Sequence, residues 1–200
     1  MNIMFVSGAC GGKTTYANIL VEHYNFKRIS LADPIRELEA GVDGGDLTEL
    51  VSRYFTPVNG EMLQILKEAK DIPREQPKPR RRLQFIGTEG GRKRIGPNIW
   101  INILKKRLSE SLDTNWVLDD CRFVNEYEAL KEDFITIKII MDKETQLKRL
   151  LTLYPDFDPK ALEHASEKEI ELINPKLTIS GTITTDEVKQ YYDRLIYRSG

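Results

Sequence analysis

The stretch SGACGGKTT, residues 7 to 15, follows a short apolar run, NIMFV, at residues 2 to 6. A lysine and two threonines directly after a glycine-rich turn are suited to holding the oxygens of a phosphate chain. Backbone N–H groups of such a turn, with the unpaired N–H groups opening the next helix, form a nest for anions. In that setting Lys13 reaches the β- and γ-phosphates of a nucleotide, and Thr14 offers its hydroxyl to Mg²⁺. Gly8, Gly11 and Gly12 relieve crowding where backbone must touch phosphate. Ser7 stands where the pattern G-x-x-x-x-G-K-[ST] has its first glycine. Ser7 is small, so the exchange costs flexibility at the strand exit and leaves the nest in place. The bland alternative is an ordinary glycine-rich turn, and the Lys-Thr-Thr that follows weighs against it.

Two further stretches carry charge that could serve the same chemistry. WVLDDCRFVNE, residues 116 to 126, reads as an apolar strand ending in two carboxylates. A carboxylate at that point can hold Mg²⁺ or its water shell beside a phosphate loop. Successive residues of a strand point to opposite faces, so one of the pair faces the nucleotide, and Asp120 is the expected one. Acidic residues at strand ends also serve as helix caps, and it is the phosphate loop that favours the metal. Residues 74 to 107 hold eleven Lys or Arg against two acids, whereas residues 37 to 49 hold five acids and no base. Most of these charges read as solvated surface. A phosphoryl-transfer site nevertheless needs cations around its acceptor. GTEGGRKR, residues 87 to 94, is the best placed source, with glycines expected to expose backbone and bring Arg92 to a ligand.

These groups need a scaffold that puts them at one edge. Residues 3 to 6 read as a buried strand, and KTTYANILVEHY as a helix with Ala17, Leu20, Val21 and Tyr24 on one side. FKRISLADP reads as a second strand ended by Pro34. Residues 35 to 97 show no strand but helical patches such as EMLQILKEAK, and a connection, PREQPKPRRR, expected to be exposed and mobile. Pro97 suits the first turn of a helix. WVLDD and FITIKIIM read as strands, and DKETQLKRLLTLY as a helix capped by Asp142. LTISGTI and DEVKQYYDRLIYR read as a last strand and helix. Strands alternating with helices imply an α/β fold with a parallel sheet covered on both faces.

The composition agrees. Two hundred residues, 40% hydrophobic and 30% charged, suit one domain with a real core. The net charge of -1 points to neither nucleic acid nor membrane, and no apolar run is long enough to span a bilayer. Cys10 and Cys121 make no disulfide framework and fit a reducing cytoplasm.

Taken together, these blocks resemble the bacteriophage deoxynucleoside monophosphate kinases, within the P-loop nucleoside monophosphate kinase family. SGACGGKTT resembles their phosphate loop, and ISLADPIRE the segment that opens the acceptor-nucleotide region. RLQFIGTEGGRKRIGPNIWI and LDDCRFVNEYEAL resemble two middle blocks, and HASE (164 to 167) and ISGTITTDEV the closing segments. The resemblance implies a three-layer P-loop kinase fold in a single domain, residues 1 to 200. Within it, residues 33 to 100 would bind the acceptor and residues 143 to 170 would form a lid. It implies ATP as phosphoryl donor, with Gly8, Ala9, Cys10, Gly11, Gly12, Lys13, Thr14 and Thr15 around it, and Mg²⁺ at Thr14 and Asp120. Lys13, Arg122 and Arg149 would act on the transferred phosphoryl group. Asp33, Arg36, Gln84, Arg92, Trp100, Arg122 and Glu126 would meet a nucleoside monophosphate. The implied location is the cytoplasm, the host's if the gene is a phage's, and a homodimer stays open. Cys10 departs from the family, which has a glycine there.

Several of these residues have structural alternatives. Trp100 sits on an amphipathic helix and suits core packing equally. Asp33 before Pro34 is an ordinary turn residue. Ser166 and Glu169 fit a capping box, and His164 reads as helix surface. Rival functions are the same transfer to another acceptor (a ribonucleotide, a modified deoxynucleotide, dephospho-coenzyme A), a nucleotide-hydrolysing switch, or nucleic-acid binding. The switch lacks the base-reading motif Asn-Lys-x-Asp. Nucleic-acid binding lacks both overall positive charge and aromatics interleaved with the basic run.

Overall fold

The computed structural model describes residues 1 to 76, 78 to 155 and 165 to 197, with the side chains of 165 to 168 and 197 left aside. His164, the Ser166 side chain and residues 156 to 164 of the expected lid therefore lie outside the described residues. The elements run β1 (Asn2–Val6), α1 (Lys13–His23), β2 (Lys27–Ile29), α2 (Asp33–Gly41), α3 (Leu47–Ser52), α4 (Gly60–Lys70), α5 (Arg80–Gln84), a π-helix (Phe85–Ile95) and α6 (Ile99–Ser109). They continue with β3 (Trp116–Leu118), α7 (Val124–Leu130), β4 (Ile135–Ile140), α8 (Lys143–Leu153), α9 (Ala165–Leu172), β5 (Leu177–Ser180) and α10 (Thr185–Tyr197). The chain divides into two compact units, Met1–Ile29 with Asp113–Gly200, and Ser30–Leu112.

Among the described residues the first unit holds one five-stranded sheet in the order β2-β3-β1-β4-β5, with every neighbouring pair parallel. β1 is central because its residues are apolar on both sides: Ile3 pairs with Val117 on one flank and Ile135 on the other. Ile3 and Phe5 pack with Tyr16, Ala17 and Leu20 of α1 and with Val188 and Tyr192 of α10. Met4 and Val6, equally buried, alternate to the opposite face. The crossover from β1 to β2 runs toward one edge of the sheet, and those from β3 to β4 and β4 to β5 run toward the other. Right-handed crossovers then put α1 on one face and α7 to α9 on the other, giving the expected three layers. No helix among the described residues is long and apolar enough to cross a membrane.

Local corrections have local causes. The second strand stops at Ile29, and Pro34 lies in the first turn of α2 rather than after a strand. The Ser30 amide is taken by the Asp33 carboxylate at 3.0 Å and the Asp33 amide by the Ser30 carbonyl at 3.2 Å, so the chain turns there. On α1 the buried set is Tyr16, Ala17, Ile19 and Leu20, whereas Val21 is exposed. Pro97 precedes Asn98, the N-cap of α6, instead of entering its first turn. Asp142 caps α8 as expected, accepting from the Thr145 amide at 2.8 Å.

Helices are the regular elements of the second unit among its described residues, and its opposite charge runs pair with each other. Arg82 is buried, and its guanidinium donates to the Ile72 carbonyl at 2.6 Å and to the Asp43 carboxylate at 2.6 Å. Arg74 grips buried Glu39 with two hydrogen bonds of 3.0 and 3.3 Å. Arg94 spans Glu61 and Glu68. The connection is exposed over most of its described residues, as expected, and is anchored at its end by Arg82, because a buried guanidinium must have its donors satisfied. The expectation for GTEGGR is corrected. The segment forms the wide turns of the π-helix, and Gly87, Gly90 and Gly91 are buried rather than presenting backbone to a ligand. A Cβ on Gly90 would come within 2.5 Å of Ile65, and one on Gly91 within 2.4 Å of the Trp100 ring and 2.9 Å of the Ile86 carbonyl.

Gly91→Ala should destabilise the second unit by about 1–3 kcal/mol, because a backbone carbonyl and a buried ring must both move. Gly60→Ala, with nothing within 4 Å, should leave urea unfolding unchanged or slightly later. Equal midpoints for the two variants would contradict the packing.

The Arg82 hydrogen bond holds the Asp43 carboxyl below the usual carboxylate range. The folded carboxyl therefore gives up its proton more readily than the unfolded one, and protonation favours unfolding. The pair's stabilisation is complete above an unfolded value of about 4 and disappears as pH falls through the lowered folded value. Asp43→Asn should flatten the acid limb of a stability–pH curve below about pH 4 and leave its slope near pH 7 unchanged.

Candidate active site

The phosphate loop leaves β1 at the carboxyl edge of the sheet, where open α/β folds bind ligands. Two loop residues take left-handed backbone, Cys10 at φ 53° and Gly12 at φ 98°. Ser7 does not, so the glycine missing from the usual pattern is not required at the strand exit. Ser7 is instead buried, and its hydroxyl fills the space beside Gly11, where a Cβ would lie 2.3 Å from the Ser7 Oγ. Gly11 is therefore obligatory here, and its amide closes the turn on the Gly8 carbonyl at 3.2 Å. Gly12 is the N-cap of α1 and carries no side chain, so the first-turn amides have no side-chain cap. Those amides are the donors an anion can use.

Lys13 curls back over this turn. Its ammonium donates to the Ser7 carbonyl at 2.5 Å, the Gly8 carbonyl at 3.0 Å and the Ser7 hydroxyl at 3.2 Å. Thr14 and Thr15 are exposed on the first turn of α1. The Thr14 hydroxyl donates to the Asp119 carboxylate at 3.1 Å. Asp119 is thus a carboxylate beside the loop, one residue before the expected Asp120. The strict alternation on which that choice rested stops one residue too early, because β3 closes at Leu118 and both aspartates lie past it. Arg28 of β2 stands behind the pair. Its guanidinium is 3.6 Å from Asp119 and donates to the Asn18 side chain at 2.7 Å and the Thr14 carbonyl at 3.3 Å. A threonine hydroxyl and a nearby carboxylate form a donor set that suits Mg²⁺, which takes one or two protein oxygens and completes its shell with water and substrate phosphates.

α8 and the turn after β5 close around the same loop. Gln146 donates to the Ala9 carbonyl at 2.8 Å, and Arg149 to the Gly181 carbonyl at 3.1 Å. Gly181 is closely packed: a Cβ there would meet the flexible end of Met141 at 2.6 Å and the Gly11 carbonyl at 3.2 Å. Tyr16 donates to the Ser180 carbonyl at 2.8 Å; burial pushes its phenol pKa up, and the nearby Arg149 charge partly offsets this. Arg122 is exposed just past β3. Glu126, expected against substrate, is buried, and its carboxylate accepts from the backbone amides of Arg122 at 2.8 Å and Phe123 at 3.1 Å. Cys10 and Cys121 are not joined in a disulfide, and Cys121 is buried.

In the second unit Asp33 is the centre of a polar cluster rather than a plain turn residue. Its carboxylate takes the Arg36 guanidinium at 2.7 Å and lies 3.9 Å from that of Arg107. Arg36 also donates to the Ser30 hydroxyl at 3.2 Å. Glu37, one turn along α2, accepts from the Tyr54 hydroxyl, and burial followed by that bond raises the Tyr54 pKa. Gln84 is exposed at the end of α5, and Arg92 is half-buried on the π-helix. Trp100 is fully buried, and its indole N–H donates to the Gly87 carbonyl at 2.8 Å. The indole is a core residue of this unit, and it holds the π-helix in place.

The sequence reading missed Arg28, Gln146, Gly181 and Arg107. A glycine directly after the last strand was a usable signal for Gly181. The others sit on ordinary-looking strand and helix faces.

No protein-family model matches the chain. Over 54 residues, 27% of its length, it is 41% identical to a deoxynucleoside-5′-monophosphate kinase of Escherichia phage T5. This stretch resembles a phage nucleotide kinase. It spans about a fifth (22%) of that relative's own length. Among solved structures the chain is similar to a shikimate kinase from Aquifex aeolicus, at 17% identity and a TM-score of 0.47, over 100% of this chain and 98% of the other. It is also similar to a dephospho-CoA kinase from Campylobacter jejuni, at 21% identity and a TM-score of 0.47, over 98% and 97% of the two chains.

Asp119→Asn should weaken Mg²⁺-dependent nucleotide binding roughly tenfold or more, whereas Asp120→Asn should stay within about threefold. Titration of ATP with and without Mg²⁺ checks this, and a larger loss at Asp120 would reverse the assignment.

Proposed function

We propose that the protein is a P-loop kinase that moves the γ-phosphate of ATP, as Mg-ATP, onto the 5′-phosphate of a deoxynucleoside monophosphate to give the diphosphate. The observation that carries the reading is the arrangement at the carboxyl end of β1. Lys13 is poised on the loop that would hold the triphosphate, and Thr14 is joined to Asp119 where the metal belongs. The likeness to a phage enzyme named for this acceptor supports the choice of a deoxynucleotide.

In this reading the chain contributes positioning and positive charge, which are the main demands of phosphoryl transfer. Residues 8 to 15 hold the donor's phosphates. Thr14 and Asp119 would hold Mg²⁺, which would supply positive charge to the phosphate chain when bound. Lys13, Arg122 and Arg149 offset the charge that spreads over the transferred group. Asp33, Arg36, Gln84 and Arg92 supply the acceptor contacts from residues 33 to 100. Arg92 offers a planar fork for the acceptor phosphate. Trp100 and Glu126 act from behind, one on the π-helix and the other on the turn that carries Arg122.

The test is an ATP-consumption screen against the deoxynucleoside monophosphates, the ribonucleoside monophosphates and dephospho-coenzyme A. Diphosphate formation from at least one deoxynucleotide is expected. Turnover with a ribonucleotide or dephospho-coenzyme A alone would keep the chemistry and replace the acceptor. ATP hydrolysis indifferent to every acceptor would overturn the kinase. Lys13→Ala should lower turnover by roughly 10²-fold or more with an unchanged circular dichroism spectrum. Turnover within about threefold of the parent would remove Lys13 from the mechanism.

A further inference from the structure

The phosphate loop carries a contradiction of its own. Its N–H groups must face an anion, yet the residue at position 10 is a cysteine in left-handed backbone, φ 53°. That conformation is disfavoured for any residue with a Cβ. The simplest relief is a half-turn of the peptide between Ala9 and Cys10, which would carry the Cys10 φ to the extended side. The same half-turn would swing the Cys10 N–H out of the nest and the Ala9 carbonyl into it. Gly11 has little room to absorb the strain instead: a Cβ there would lie 2.3 Å from the Ser7 Oγ, and one on Gly181 would lie 3.2 Å from the Gly11 carbonyl.

We propose that Gln146 is the positioning residue that prevents this flip. Its side-chain amide donates to the Ala9 carbonyl at 2.8 Å, which holds that carbonyl toward α8. In a planar trans peptide the following N–H points the opposite way, so a hydrogen bond on the Ala9 carbonyl also sets the direction of the Cys10 N–H. Gln146 thereby replaces the conformational freedom that a glycine at position 10 would have supplied. The inference rests on the reading of this loop as the site of a nucleoside triphosphate.

Direct binding of Mg-ATP by calorimetry, with no acceptor present, separates the two. In the parent background Gln146→Met, which keeps length and neutrality but cannot donate, should raise the Kd about five- to tenfold. In a Cys10→Gly background the same substitution should change the Kd by less than about twofold, because glycine needs no clamp in left-handed backbone. Gln146→Leu should repeat the pattern. A purely structural role would lower the melting temperature by the same amount in both backgrounds and leave the Kd unmoved. Equal losses of affinity in the two backgrounds, or no loss in the parent, would overturn the role of Gln146 while leaving the nucleotide site standing. A parent protein that binds no Mg-ATP would overturn both.

Discussion

A chain leaving a buried central strand must turn within six residues, from Ser7 to Gly12, and begin a helix with its amide groups gathered on one side. That constraint governs the first unit. Turning so sharply leaves no space at Gly11, forces left-handed backbone at Cys10 and Gly12, and brings the Lys13 ammonium back onto the carbonyls of Ser7 and Gly8. The positive charge at the loop follows from the turn and not from the protein as a whole, whose net charge is -1. Neighbouring elements then contribute what the turn cannot supply alone: Asp119 for the Thr14 hydroxyl, Gln146 for the Ala9 carbonyl, and Gly181 as a close-packed floor.

The second unit solves a different problem. It has long charged side chains in number and no sheet on which to spread them. Its basic and acidic runs are distant in sequence, and they cancel where α2 meets the segment around Arg74 and Arg82. Half-exposed around Asp33 stand Arg36 and Arg107, whose guanidiniums lie 2.7 and 3.9 Å from its carboxylate. A carboxylate between two guanidiniums orients both. The π-helix serves this unit through its glycines, which let Ile65 and Trp100 approach the backbone.

Patterns with a short physical range were legible from the sequence. The strand, glycine turn and Lys-Thr-Thr could be read because a phosphate loop is built from consecutive residues. The alternation of strands and helices could be read because apolar periodicity reports local burial. Asp142 as a cap and the parallel sheet belong to the same class. Alternation could not by itself choose between Asp119 and Asp120, because it holds only while the strand lasts, and β3 lasts three residues.

By itself, then, the sequence determined the α/β class and the strand, glycine turn and helix that open the chain, since these are set by neighbours along the chain. Only the tertiary structure decided which carboxylate meets Thr14, and which cations of residues 74 to 107 are committed to internal pairs. It also decided that the glycines of GTEGGR face a core instead of a ligand. The physical reason is the same in each case. A charge or a glycine is assigned its role by what lies across from it, and the partners here (Arg82 with Asp43, Gly91 with Trp100, Gln146 with Ala9) are separated by 9 to 137 positions along the chain.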